Sequence, residues 1–149
     1  MIEINGVKIG QEHSPYVIAE LSANHNGSIQ TAIETIKAAK RAGADAIKLQ
    51  TYTPDTITLN CMTDDFKVQG GTIWDGKYLY DLYQEASLPW EWHKKLFDIA
   101  KEEGLVCFST PFDFTAVDLL EELDCPIYKI ASFEIADIPL IAYIAKKQK

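Results

Sequence analysis

Four short apolar runs in this chain each turn polar at their last residues, and segments of helical periodicity separate them. The runs are Val17 to Glu20 (VIAE), Ala44 to Tyr52 (ADAIKLQTY), Val106 to Thr110 (VCFST) and Ile127 to Ser132 (IYKIAS). Their length and β-branched content predict buried strands. Within the second run Lys48 and Gln50 alternate with Ile47 and Leu49, so the two polar heads share one face. Between the runs, apolar residues recur at helical spacing: Ile29, Ala32, Ile33, Ile36 and Ala39; Trp92, Leu96, Ile99 and Ala100; Ala116, Val117, Leu120 and Leu123; Leu140, Ile141, Ile144 and Ala145. Ser28, Asp113 and Asp137 stand where N-caps belong, Gly43 and Gly104 where helices stop, and Pro89 and Pro139 in first turns. Ahead of all this, Asn5-Gly6 between two short apolar segments predicts a tight β-hairpin.

The order is therefore a hairpin followed by four βα units, which implies a parallel sheet with right-handed crossovers. Glu20 to Gln50 spans roughly thirty residues, the size of one βαβ unit. The connection from Tyr52 to about Ser87 is far longer and reads as a binding loop or lid. Polar residues at the C-terminal ends of the strands suit both a (β/α)8 barrel and a doubly wound sheet. No GxGxxG or Walker-type loop follows the first strand, so the α/β chain is read as the N-terminal half of a (β/α)8 TIM barrel. It forms one partial catalytic domain over residues 1–149, with the remaining strands expected outside it.

A chain of 149 residues, 47% hydrophobic, is large enough for a real core. A net charge of -8 without a lysine or arginine cluster argues against nucleic acid or an anionic membrane as partner. Cys61, Cys107 and Cys125 form no CxxC pair, which suits a reducing cytoplasm, and no apolar stretch reads as a leader or membrane span.

In a chain short of positive charge, Lys48 and Lys129 sit at the ends of parallel strands and favour an anion site over a rim salt bridge. Thr110 and Ser132 can add hydroxyl donors, or else cap the following loops. Glu20 and Glu134 are positioned for proton transfer if they face the mouth, with structural pairing to a lysine as the alternative. Gln50 is a neutral hydrogen-bonding group beside them. His25 has no histidine at ligand spacing, so Asn24, His25 and Asn26 are expected to touch substrate or to fix their loop. Tyr52, Trp74 and Tyr80 can stack on a sugar or serve as packing, with Trp74 the best placed between glycines.

The segments IAELSANHNG, AGADAIKLQTYTPDT, GTIWDG, FSTPFD and YKIASFE, in this order and spacing, resemble the sialic acid synthase family, and within it the branch that makes pseudaminic acid. The resemblance spans nearly the whole chain. It implies condensation of phosphoenolpyruvate with the open-chain aldehyde of an acetamido sugar, 2,4-diacetamido-2,4,6-trideoxy-altrose for that branch, giving a nine-carbon keto acid and phosphate. It further implies that Lys48, Thr110, Lys129 and Ser132 bind phosphoenolpyruvate, that Glu20 and Glu134 move protons, and that Lys129 also supports departure of phosphate. Gln50, Asn24, His25, Tyr52 and Trp74 are the remaining expected substrate contacts. A divalent metal, manganese or magnesium, is implied with its ligands outside this chain, as is a small C-terminal domain.

Two other readings compete. A strand-end lysine in a barrel can form a Schiff base with a keto acid, as aldolases do. Alternatively, the 149 residues fold as an inactive half-barrel that associates with itself through its open sheet edge. A homodimer is the assembly expected, and the chain alone is expected not to turn over.

Overall fold

The computed structural model describes residues 2–149. Strands β1 (Ile2–Ile4) and β2 (Val7–Ile9) form the antiparallel hairpin expected from Asn5-Gly6, and both turn residues adopt positive φ, 49° and 83°. The parallel sheet begins at β3 (Ile18–Glu20). Helix α1 (Ile29–Arg41) starts where the Ser28 hydroxyl accepts from the Thr31 N–H, and its chain reverses at Gly43 with φ 88°. Strand β4 (Ala46–Thr51) then pairs with β3 in parallel.

The long connection contains α2 (Pro54–Ile57), a 3-10 turn over Asp64–Phe66 and α3 (Leu79–Ala86). Between these, Asp75 gathers the N–H groups of Gly70, Gly71 and Thr72 at 2.9 to 3.1 Å, so the glycine-rich stretch is an ordered turn organised by one carboxylate. Those three donors hold the Asp75 carboxyl below its ordinary range.

Helix α4 (Trp90–Glu102) leads to β5 (Val106–Pro111), the parallel partner of β4. Pro89 is the N-cap of α4 and stands just outside the first turn. Asp113 caps α5 (Phe114–Glu122) through the N–H groups of Thr115 and Ala116, and Asp137 caps α6 (Ile138–Ala145) through Leu140.

The order β3-β4-β5 is sequential, as a barrel requires. The expected fourth strand is reduced to one parallel bridge, Ser109 with Tyr128, and the Lys129 N–H donates to Ser109 O at 3.2 Å. Pro126 supplies no donor, this segment pairs on one side only among the described residues, and the chain curls into a 3-10 turn at Ser132–Glu134.

Helices α1 and α4 cover the outer face of the sheet. Ile33, Ile36, Leu96 and Ala100 pack there on Ile47, Leu49 and Cys107. Burying each of these larger aliphatic side chains stabilises the layer by about 1.5–3 kcal/mol. On the opposite face Ala46 and Phe108 are packed in a second cluster, and Lys48, Gln50 and Thr110 follow toward the strand tips. No helix of the described residues is long and apolar enough to cross a membrane.

Candidate functional site

Register fixes the first contact at the strand tips. Glu20 and Lys48 are directly opposed across β3 and β4, and Lys48 Nζ lies 3.4 Å from Glu20 Oε1. The Lys48 side chain is 8% exposed and that of Glu20 57%, so a nearly buried ammonium is balanced by a carboxylate that remains open to solvent. On its other side Lys48 faces the buried Phe108 across β4 and β5. Its stem can lie on apolar surface while its head reaches the rim.

Two residues further along, Gln50 opposes Thr110. Gln50 is half-buried, whereas Thr110 is 1% exposed and its hydroxyl has no hydrogen-bond partner. A buried polar group without a partner is destabilised by about 1–3 kcal/mol relative to a satisfied one. Thr110 lies on the strand face that also carries Lys48 and Gln50.

Glu134 lies in the 3-10 turn beyond the bridge, with Oε2 buried and unpartnered. Burial pushes its carboxyl above the ordinary range, and Asp137 adds to the rise; a backbone N–H and the Lys129 charge pull the other way. Lys129 and Glu134 are thus electrostatic neighbours. Lys129 is exposed and makes no ion pair among the described residues, and Ser132 is exposed at the start of the turn.

Other candidates are diverted elsewhere. His25 is 1% exposed: its Nδ1 accepts from the Gly27 N–H at 3.1 Å and its Nε2 donates to Ala86 O at 3.2 Å. Both nitrogens are engaged, so His25 fixes the Leu21–Ser28 loop to the end of α3 and has no nitrogen left for a substrate. Asn24 stays exposed, its side chain donating to Leu21 O. Tyr52 is 4% exposed and edge-packed on Tyr83 and Phe112, with its phenol pushed up to about 12 by burial. It supports the site wall and presents no open ring face. Trp74 is half-buried in the Asp75 turn with the Lys77 ammonium 5.1 Å from its ring centroid. Tyr80 donates to Asp55, tying α3 to α2.

The pattern reading passed over one group. Thr51 and Ser109 are fully buried on the helix-facing side of the strand tips, and the Thr51 hydroxyl meets both Ser109 Oγ at 2.7 Å and His93 Nε2 at 2.9 Å. The signal was present: two hydroxyl residues interrupt an otherwise apolar alternation of Ile47, Leu49 and Cys107.

Among the described residues, no group of three or more His, Cys, Asp or Glu side chains is placed to hold a metal ion. A concavity of about 420 Å³ lies at the opposite, N-terminal end of the strands between α4 and α5, lined by Lys94, Asp98 and Glu122. Three buried polar side-chain atoms have no partner among the described residues: Thr110 Oγ1 and Glu134 Oε2 toward the strand tips, and the Tyr16 hydroxyl at the opposite end.

Several proteins similar to this chain are named synthases. The chain is 53% identical over 134 residues to pseudaminic acid synthase of Campylobacter jejuni, covering 90% of this chain and 39% of that protein. It is 54% identical over 135 residues to the Helicobacter pylori protein of the same name, covering 91% and 39%. With N,N'-diacetyllegionaminic acid synthase of Legionella pneumophila the identity is 35% over 147 residues, covering 98% and 41%. The crystal structure of N-acetylneuraminic acid synthetase from Leptospira borgpetersenii, in complex with citrate, superposes with a TM-score of 0.80 at 27% identity, covering 97% of this chain and 46% of that one. The chain thus spans about two fifths of the length of these named relatives. A family model described as NeuB matches residues 35–149, from within α1 through every later strand tip, and the chain belongs to the NeuB family.

Proposed function

We propose that this chain forms the phosphoenolpyruvate-holding half of a nonulosonic acid synthase barrel, which condenses phosphoenolpyruvate with an acetamido-sugar aldehyde and releases phosphate. The observation that carries the reading is the buried Lys48 ammonium at the rim, with the unpartnered Thr110 hydroxyl on the same strand face. Such a pair suits the phosphate or carboxylate of the ligand, and Gln50, Lys129 and Ser132 extend it. The identities to pseudaminic acid synthases favour 2,4-diacetamido-2,4,6-trideoxy-altrose as the sugar.

In this reading the enol carbon attacks the aldehyde, positive charge grows at the neighbouring carbon, and water adds there. Glu20 or Glu134 takes the proton from that water; the raised Glu134 carboxyl suits a group that must also return one. The tetrahedral intermediate collapses to the ketone as phosphate leaves, with Lys48 and Lys129 balancing the growing negative charge. The implied divalent metal would draw its ligands from outside these residues. The Schiff-base aldolase reading finds no support among the named relatives, which are synthases. Three free thiols suit a cytoplasmic location.

The test is the bond that breaks. In the full-length protein, phosphoenolpyruvate carrying heavy oxygen at its bridging position should give labelled phosphate and an unlabelled keto acid. Label recovered in the keto acid would mean attack at phosphorus and would sink the mechanism.

A further inference from the structure

The hydroxyl-imidazole group on the outer side of β4 and β5 joins three elements. Thr51 is the last residue of β4, Ser109 lies near the end of β5, and His93 sits in the first turn of α4. All three are 0% exposed. Carbonyl chemistry settles the direction of the chain. His93 Nδ1 lies 3.2 Å from Pro89 O, which can only accept, so Nδ1 carries the proton. Burial holds the imidazole below its ordinary 6.5, so the ring is neutral and Nε2 is left as an acceptor. The Thr51 hydroxyl therefore donates to Nε2 and accepts from Ser109 Oγ. Each hydrogen of the chain has an acceptor, and all run one way, from Ser109 through Thr51 to His93 and from His93 to Pro89 O.

Strand geometry transmits this to the site, because neighbouring residues on a strand point to opposite faces. Gln50 precedes Thr51, and Thr110 follows Ser109. Gln50 and Thr110 are register partners on the inner face. A further clamp acts beyond them, where the Phe112 N–H donates to Thr51 O.

We infer that Thr51, with Ser109 and His93, is a positioning residue for the anion site, holding the tips of β4 and β5 so that Gln50 and Thr110 meet the ligand in register. This rests on the function proposed above. Thr51 does not touch the ligand. It acts through the backbone it shares with Gln50 and through the hydroxyl it shares with β5.

Thr51→Val keeps the shape and removes the hydroxyl, whereas Thr51→Ser keeps the hydroxyl and removes a methyl. Both are compared with the parent in the full-length protein, at a temperature where each is folded by circular dichroism. The valine variant should lose about tenfold in kcat/KM for phosphoenolpyruvate, since small displacements of positioned groups carry costs of that order, and the serine variant should recover most of it. In ligand-free protein, the Thr110 amide resonance should shift with valine and return with serine. His93→Phe, which removes the acceptor of the Thr51 proton, should shift it in the same direction and serves if valine prevents folding. A valine variant with lower melting temperature but unchanged kcat/KM and an unmoved Thr110 resonance would reduce the group to packing. If the parent itself fails to use phosphoenolpyruvate, the proposed function falls, while the Thr110 resonance still decides the positioning claim.

Discussion

The two faces of the strand tips treat their polar groups in opposite ways. On the helix side, Thr51, Ser109 and His93 are buried and bonded to one another. On the inner side, Thr110 is equally buried yet its hydroxyl has no partner, and the Glu134 Oε2 beyond it is likewise alone. Burial is the same and satisfaction differs. A protein gains from closing every hydrogen bond in its scaffold, and leaves open those that a ligand is to close.

The most forceful way to break that contrast is Lys48→Met. If the inner face is built for an anion, removing its buried charge should weaken phosphoenolpyruvate binding by about 1.5–3 kcal/mol, the range for hydrogen bonds to charged groups. The fold should survive, because the carboxylate left behind, Glu20, is mostly open to water. Calorimetry and thermal melting on the full-length protein check both halves, and unchanged affinity would remove the anion argument.

Thr110→Val sharpens the comparison with a smaller effect. The lost hydroxyl has no partner in the protein, so the stability of the ligand-free form should hold or rise slightly. Affinity for phosphoenolpyruvate should fall by about 0.5–1.5 kcal/mol. A clear drop in melting temperature without ligand would show that Thr110 belongs to the scaffold after all.

The smallest effect is on the pH dependence of stability, and it belongs to the outer face. Burial depresses the His93 imidazole, so as pH falls the unfolded chain takes up this proton before the native state does. The contribution is complete above about pH 6.5 and is lost as pH drops through the lowered native value. Denaturant melts at about pH 7.5 and 5.5 should therefore show a loss in the parent that is smaller in His93→Gln. Equal losses in both would assign the slope to other groups.

Much of this was legible from the chain. Helical periodicity with Ser28, Asp113 and Asp137 as caps located α1, α5 and α6, because caps are local chemistry. The ion pair of Glu20 with Lys48 stood in the sequence only as the alternative to an anion site and proton transfer, and the register of β3 on β4 is what brings the two together. The fourth strand was overestimated from IYKIAS, since pattern reports an apolar run and not whether a neighbour completes its ladder. For His25 the sequence left open contact with substrate or fixing its loop, and Ala86, distant in sequence, takes its Nε2 and decides for the loop. Thr51, Ser109 and His93 stayed hidden for the same reason: their partners are 42 and 58 residues away.

The long stretch between β4 and β5 bears on how the chain folds. Pairing Ile18 with Ala46 and pairing Ala46 with Val106 each require the chain to close on itself, and the second span is about twice the first. Closure entropy grows only with the logarithm of length, so the doubling adds about 0.6 kcal/mol to the nucleation of the second strand pair. The Asp75 turn and α3 restrict the wandering of that segment still further once they form. A binding loop can thus be lengthened over the strand tips with little slowing of sheet assembly, and insertions at the glycine-rich turn should be tolerated far better than a single register shift in β4.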